Sequence, residues 1–230
     1  MIKHILLDLD NTLLDFTKAE HEGIRKGLAM LGIDVTDELL TRYSQINMSF
    51  WEKLERGEIE RSELLWRRFD ALFAEMGIDA DGKQAQDYYE EFLSKGHDYL
   101  PGAEALLNRL YGHYSLYIVS NGNTNIQERR IADSGIEKYF DGIFISEKLG
   151  YDKPNIEFFE NSVGKVPGFD KNEAIIIGDS LTSDILGGNN YGIKTCWFNP
   201  KHKTNNIGAA VDYEVSSLDE IPNIFNSETL

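Results

Sequence analysis

Four stretches of the chain, residues 3–9, 116–120, 143–146 and 174–178, are short, apolar and rich in β-branched or aromatic residues, and each runs into a turn or a helical pattern. Continuous apolar runs separated by helical periodicity indicate a parallel sheet covered on both faces, since a half-exposed antiparallel strand alternates instead. A fifth run, 194–198, obeys the same rule. Helices are predicted over 103–111, 126–134, 155–164 and 182–191. The expected architecture is a doubly wound, Rossmann-like α/β sheet.

Between Asp15 and His97 the alternation stops. That stretch holds no strand pattern and no proline. Four helices are predicted there, over 17–31, 37–56, 61–76 and 81–95, stopped by Gly32, Gly57, Gly77 and Gly96. Leu31-Gly32-Ile33-Asp34 is similar to Met76-Gly77-Ile78-Asp79, which a shared helix stop explains without a repeat. The chain is therefore read as a discontinuous α/β domain, residues 1–14 and 98–230, carrying an all-helical insertion over 15–97. Aromatic residues at Phe50, Trp51, Trp66, Phe69 and Phe73 recur near helical spacing, so most are expected in the core of that bundle.

With 230 residues, 41% of them hydrophobic, the chain is long enough to bury roughly 70% of its unfolded surface, which excludes disorder and any need for a disulfide or structural metal. Its lone cysteine, Cys196, suits a reducing cytosol and reads as a buried, inert thiol. The 23 Lys and Arg against 39 Asp and Glu give a net charge of −16 and a sequence pI of about 4.7. Such a chain repels nucleic acid and anionic membranes, so an anionic ligand must be bound locally. No apolar run approaches the ~18 residues of a membrane span, and the first one, Ile5 to Leu7, runs directly into Asp8 and Asp10. A soluble, unexported, cytoplasmic protein is expected.

Within this acidic background a few polar groups stand at the ends of apolar strands. Asp8-Leu9-Asp10-Asn11-Thr12 places two carboxylates one residue apart at the carboxyl end of a central strand, where open α/β sheets bind ligands. Crowded carboxylates raise one another's pKa unless a cation sits among them. The second strand ends in Ser120-Asn121-Gly122, and the fourth in Gly178-Asp179-Ser180 with Asp184 one helical turn further on. Each group alone reads as a turn or a helix cap. Their recurrence at three strand ends of one sheet points instead to a metal or a phosphoryl anion. Asp8, Asp179 and Asp184 are hard oxygen ligands of the type Mg²⁺ prefers, and no His or Cys cluster suits zinc. Lys153, near the third strand, can neutralise a phosphoryl oxygen.

These four elements, in this order, resemble the motifs of the haloacid dehalogenase superfamily. Asp8-Leu9-Asp10-Asn11-Thr12 is similar to its first motif, Ser120 to the second, Lys153 to the third, and Gly178-Asp179-Ser180 through Asp184 to the fourth. The resemblance spans the chain, including the position of the insertion, which it identifies as a helical cap. It implies a nucleophilic Asp8, an acid/base Asp10, and a phosphoryl-binding Ser120 and Lys153. It also implies Mg²⁺ held by Asp8, the Asp10 carbonyl and Asp179, with Asp184 supporting it directly or through water. Dehalogenases of the superfamily lack the second aspartate, so Asp10 speaks for phosphate monoesters. The Asn11-Thr12-Leu13 continuation, the cap and the run from Ser120 to Pro154 are most similar to bacterial pyrimidine 5′-nucleotidases of the housecleaning type. Phosphatases acting on sugar phosphates, acylneuraminate 9-phosphate or phosphoglycolate share the frame. Asn121, Gly122 and Phe16 are expected to touch the substrate, with Asn47 and Trp51 as weaker candidates. A phosphoreceiver or a non-catalytic binding module is the competing class, but a receiver takes its phosphoryl group after the third strand and has no large insertion after the first.

Overall fold

The computed structural model describes residues 1–226. The chain divides into two compact units, residues 1–15 with 97–230, and residues 16–96.

The first unit is built on a six-stranded sheet: β1 (His4–Leu7), β2 (Ser115–Ser120), β3 (Gly142–Ile145), β4 (Ala174–Gly178), β5 (Lys194–Phe198) and β6 (Tyr213–Val215). Its order is β3-β2-β1-β4-β5-β6, and every neighbouring pair is parallel. This is the doubly wound arrangement, with β1 inside the sheet. Leu6 of β1 stands opposite Tyr117 and Ile176. Because strand side chains alternate, Ile5 and Leu7 join one core and Leu6 another. The first core is closed by Leu106 and Leu107 of a helix over Ala103–Leu110, Ile131 of a helix over Thr124–Ser134 and Ile224 of a helix over Ile221–Asn226. The second is closed by Phe158 and Phe159 of a helix over Ile156–Asn161. Both faces are covered, which is why the interiors of the central strands are mostly apolar. Cys196 is buried on β5, and burial, with a smaller push from Glu220, raises its thiol to about 12. It is chemically quiet.

The second unit contains α1 (Phe16–Ala29), α2 (Asp37–Glu55), α3 (Arg61–Met76) and α4 (Gly82–Leu93). Continuing the numbering, the helices of the first unit are α5 (Ala103–Leu110), α6 (Thr124–Ser134), α7 (Ser146–Leu149), α8 (Ile156–Asn161), α9 (Leu186–Tyr191) and α10 (Ile221–Asn226). Thr36 caps α2 by accepting from the Leu39 amide, and Asp81 caps α4 by accepting from the Lys83 and Gln84 amides. Gly32, Gly57 and Gly77 adopt the left-handed conformation expected of helix stops. Gly96 does not; it is small because Ala19 lies against it.

Several expectations change. Of the five insertion aromatics only Phe69 and Phe73 are buried. Phe50, Trp51 and Trp66 are half-buried, with Lys53 over Phe50, Arg61 over Trp51 and both Arg67 and Lys83 over Trp66. Cations cover these rings where the bundle does not. The predicted helix over 155–164 is broken after Asn161, where the Ser162 hydroxyl donates to the Phe158 carbonyl and a 3₁₀ turn, Val163–Lys165, follows. The predicted helix over 182–191 opens as a π-helical turn, Leu181–Ile185, before α9. β6 and α10 carry too few apolar residues to announce themselves. Among the described residues, no helix is long and apolar enough to cross a membrane.

The approach of α9 to the sheet supplies a test. A Cβ on Gly188 would lie 2.6 Å from Cγ2 of Ile176 and 2.7 Å from Cγ2 of Thr195. Alanine normally gains about 1 kcal/mol over glycine inside a helix, whereas overpacking a dry interface costs typically 1–3 kcal/mol. Gly188→Ala is expected to lower the urea midpoint of unfolding; an unchanged or higher midpoint would show that the contact relaxes freely.

Candidate active site

β1 ends at Leu7, and the chain then turns sharply. Asn11 takes the left-handed conformation, φ 59°, which asparagine tolerates better than most side chains. The Asn11 amide donates to the Leu14 carbonyl, and the Leu13 amide to the Leu9 carbonyl. Leu9, Leu13 and Leu14 are fully buried and pin the turn to the core. Asp8 and Asp10 are thus carried on a rigid loop. The Asp8 amide still donates to the Ile177 carbonyl, so Asp8 is in effect the last paired residue of the strand.

Around Asp8 three other strand ends converge. The Lys153 ammonium donates to Asp8 Oδ1 at 2.8 Å, Asp184 Oδ1 at 2.6 Å and the Val119 carbonyl at 2.7 Å. All three of its protons are used. Thr12 Oγ1 donates to Asp8 Oδ2 at 3.2 Å, so both Asp8 oxygens are held. The Ser180 amide donates to Asp184 Oδ2. The π-helical turn brings Asp184 back against the strand end: a Cβ on Gly178 would fall 2.2 Å from Asp184 Oδ2, so only glycine fits at that position. Asp179 completes the group, and its carbonyl accepts from Trp197 Nε1.

Ligand oxygens of Asp8, Asp179 and Asp184 lie within 4.8 Å of one another. Burial, then the charge of Asp184, raises Asp8 well above the usual carboxylate range. The same two causes lift Asp179 to about 7. Burial alone would lower Lys153, but Asp184 and Asp8 reverse this and hold it above its ordinary value. Three carboxylates face the buried Lys153 ammonium and the more exposed Lys203, 4.0 Å from Asp179 Oδ2, which leaves a net negative charge among hard oxygens. That donor set fits a divalent cation such as Mg²⁺.

The other expected residues are placed as follows. Ser120, 1% exposed, ends β2 and accepts from Gln127 Nε2 at 2.8 Å. Asn121 departs from the expectation that its side chain contacts substrate: its Nδ2 donates to the Lys153 carbonyl and its Oδ1 accepts from the Lys153 amide, each at 2.8 Å. It fixes the lysine loop instead. Gly122 is small because Gln127 lies against it. Asp10 is paired with Arg130 and Gln127. Phe16 is the first residue of α1, in the helical unit. Asn47 is buried between Glu20 and Arg68 within the helical unit. Trp51 lies beneath Arg61. Gln127 and Arg130 escaped the sequence reading. Their one signal was a place next to Ile126 and Ile131, the apolar residues of the buried face of α6.

The model of the haloacid dehalogenase-like hydrolases matches residues 5–198. The chain is 40% identical over 220 residues to pyrimidine 5′-nucleotidase PynA of Streptococcus pneumoniae, covering 95% of this chain and 93% of that protein. It is 31% identical over 217 residues to pyrimidine 5′-nucleotidase YjjG of Escherichia coli, covering 94% and 95%. A crystal structure of YfnB from Bacillus subtilis, bound to magnesium, superposes with a TM-score of 0.94 at 38% identity, covering 98% of this chain and 99% of that one.

The carboxylate pKa values set how metal affinity should follow pH. Asp179 must lose its proton to become a ligand, and with a pKa of about 7 only about a tenth of it is ionised one pH unit lower. Titration calorimetry is expected to show Mg²⁺ binding about tenfold weaker at pH 6 than at pH 8, with protons released on binding at the lower pH. Equal affinity at both values, with no proton release, would mean that the metal bypasses Asp179.

Proposed function

The chain belongs to the haloacid dehalogenase-like hydrolases, and from that premise we propose that this phosphoric monoester hydrolase is a Mg²⁺-dependent pyrimidine nucleoside 5′-monophosphate phosphatase that works through an aspartyl phosphate. The observation that carries the reading is the buried Asp8 at the end of β1, held by Lys153 and Thr12, with a second carboxylate two residues on. Likeness to PynA and YjjG over nearly the whole chain supports the nucleotide part.

In this mechanism an oxygen of Asp8 attacks phosphorus in line, forming one P–O bond as the bond to the leaving oxygen breaks. Asp10 gives its proton to that leaving oxygen. Water then attacks the phosphorus of the aspartyl phosphate, and Asp10 takes a proton from it as the Asp8 carboxylate is released. Asp10 is then ready for the next cycle. Lys153, carried by the Asn121 clamp, neutralises Asp8 and a phosphoryl oxygen, and Ser120 donates its hydroxyl to another. Asp8, the Asp10 carbonyl, Asp179 and, directly or through water, Asp184 would hold Mg²⁺, which when bound supplies further positive charge to the phosphoryl group. The helical unit is assigned the role of a cap that selects the leaving group.

Two experiments test the reading. Asp8→Asn is expected to lower kcat by on the order of 4 kcal/mol or more, because it removes the covalent route itself. Rapid quench with labelled substrate should place phosphate on Asp8, and labelling that persists in Asp8→Ala would move the nucleophile elsewhere. The substrate class is tested by kcat/KM across pyrimidine and purine nucleotides, hexose phosphates, acylneuraminate 9-phosphate and phosphoglycolate. Deoxypyrimidine monophosphates are expected to lead. A non-nucleotide that beats the best of them by about tenfold, roughly 1.4 kcal/mol of transition-state binding, would leave the phosphatase reading standing and remove the nucleotidase one.

A further inference from the structure

α6 begins one turn after Ser120, capped by Asn123, whose side chain accepts from the Ile126 amide. Gln127 and Arg130 lie three residues apart on its buried face, 2% and 0% exposed. A residue facing a sheet core is ordinarily apolar, and burying a guanidinium costs several kcal/mol unless its partners are well placed. Here they are. Arg130 Nη1 pairs with Asp10 Oδ1 and also donates to Gln127 Oε1 at 2.9 Å. Gln127 Nε2 donates to Asp10 Oδ2 at 2.7 Å and to Ser120 Oγ at 2.8 Å. Both oxygens of Asp10 are thereby tied, and one amide nitrogen spans Asp10 and Ser120.

The bridge joins two groups that come from different strands. Asp10 sits on the turn after β1 and Ser120 at the end of β2. Gly122 leaves room for this pose, since a Cβ there would lie 2.7 Å from Gln127 Cγ. An apolar pair on α6 would fill the same volume without the desolvation cost, so packing alone does not account for these residues.

We infer that Gln127 and Arg130 are positioning residues for the reaction, holding the Asp10 carboxyl and the Ser120 hydroxyl at a fixed separation so that the leaving oxygen and a phosphoryl oxygen are met together. The inference rests on the reading of Asp10 as the acid and base. Arg130 holds Oδ1 of the Asp10 carboxyl, and Gln127 holds Oδ2 and ties it to Ser120. Proton transfer to a leaving oxygen is worth about 10²–10⁴ in rate, and a misplacement of about 1 Å can forfeit 10² of it. The effect belongs to substrates that need the proton.

The test compares a nucleoside monophosphate, whose leaving alkoxide needs protonation, with p-nitrophenyl phosphate, whose leaving phenoxide does not. Single-turnover phosphoryl transfer to Asp8 is measured in the Mg²⁺-loaded protein, so that only the first step is read. Gln127→Ala is expected to slow the nucleotide by about ten- to a hundredfold and p-nitrophenyl phosphate by less than about threefold. Arg130→Lys keeps the charge but not the two contacts of Nη1 and is expected to fall between Gln127→Ala and the parent. Asp10→Asn should show the same split in stronger form, and adding Gln127→Ala to it should widen the split no further. Equal slowing of both substrates in Gln127→Ala and Arg130→Lys, while Asp10→Asn still splits them, would reduce the pair to a structural role and overturn the inference. If Asp10→Asn itself shows no split, the acid assignment of Asp10 fails instead, and the inference falls with it.

Discussion

The ammonium group of Lys153 is buried among carboxylates, and the carboxyl end of the sheet is organised around it. Two like charges 4–5 Å apart repel by about 4 kcal/mol at an effective dielectric constant of 20. Three such pairs rival the ~5–15 kcal/mol by which a whole domain is stable. Lys153 relieves the two most buried members, Asp8 and Asp184, directly. Delivering that charge takes contributions from several elements: the Val119 carbonyl takes the third proton, Asn121 grips the lysine backbone from both sides, and Gly178 leaves room for Asp184. Asp179, at 25% side-chain exposure, is the member left open to solvent.

The same electrostatics explains why much of the site was legible in the sequence. Polar residues cannot be spared inside a dry parallel sheet, so Asp8, Ser120 and Asp179 stood out where apolar runs stopped. The sheet was legible for the same reason, since β4 is an uninterrupted apolar segment and β5 ends in one, Cys196 to Phe198. β6, three residues at an edge with one buried side chain, has too small an apolar run to detect. The π-helical turn that returns Asp184 to Gly178 departs from helical spacing by one residue, and that shift is set by tertiary fit rather than local propensity. Gln127 and Arg130 stayed hidden because a polar residue on an amphipathic helix is read as facing water by default. Only the positions of Asp10 and Ser120 show that these two face inward.

The helical unit has its own hidden polar centre. Arg68, 3% exposed, donates to Asn47, Gln86 and the Leu65 carbonyl, and Asn47 passes the connection to Glu20. Burial raises Glu20 despite this help. Residues from α1, α2, α3 and α4 meet there, beneath the rings of Tyr43, Phe69 and Tyr89. Composition and periodicity identify four amphipathic helices. They do not reveal that a single guanidinium ties all four together, because each partner taken alone looks like an ordinary surface residue.

The joints of the insertion are closed within the sheet unit itself. Asp15 donates its amide to the Asp98 carbonyl, and the Leu100 amide returns to the Leu13 carbonyl, so the outgoing and incoming chains are stitched side by side. A chain that leaves and returns through one stitched doorway imposes no length on what lies between. The 81 residues of the helical unit can be lengthened, reshaped or replaced over evolutionary time without disturbing the strand register, and the sheet can serve as a socket for interchangeable inserts. In such a design the two units drift under separate selection.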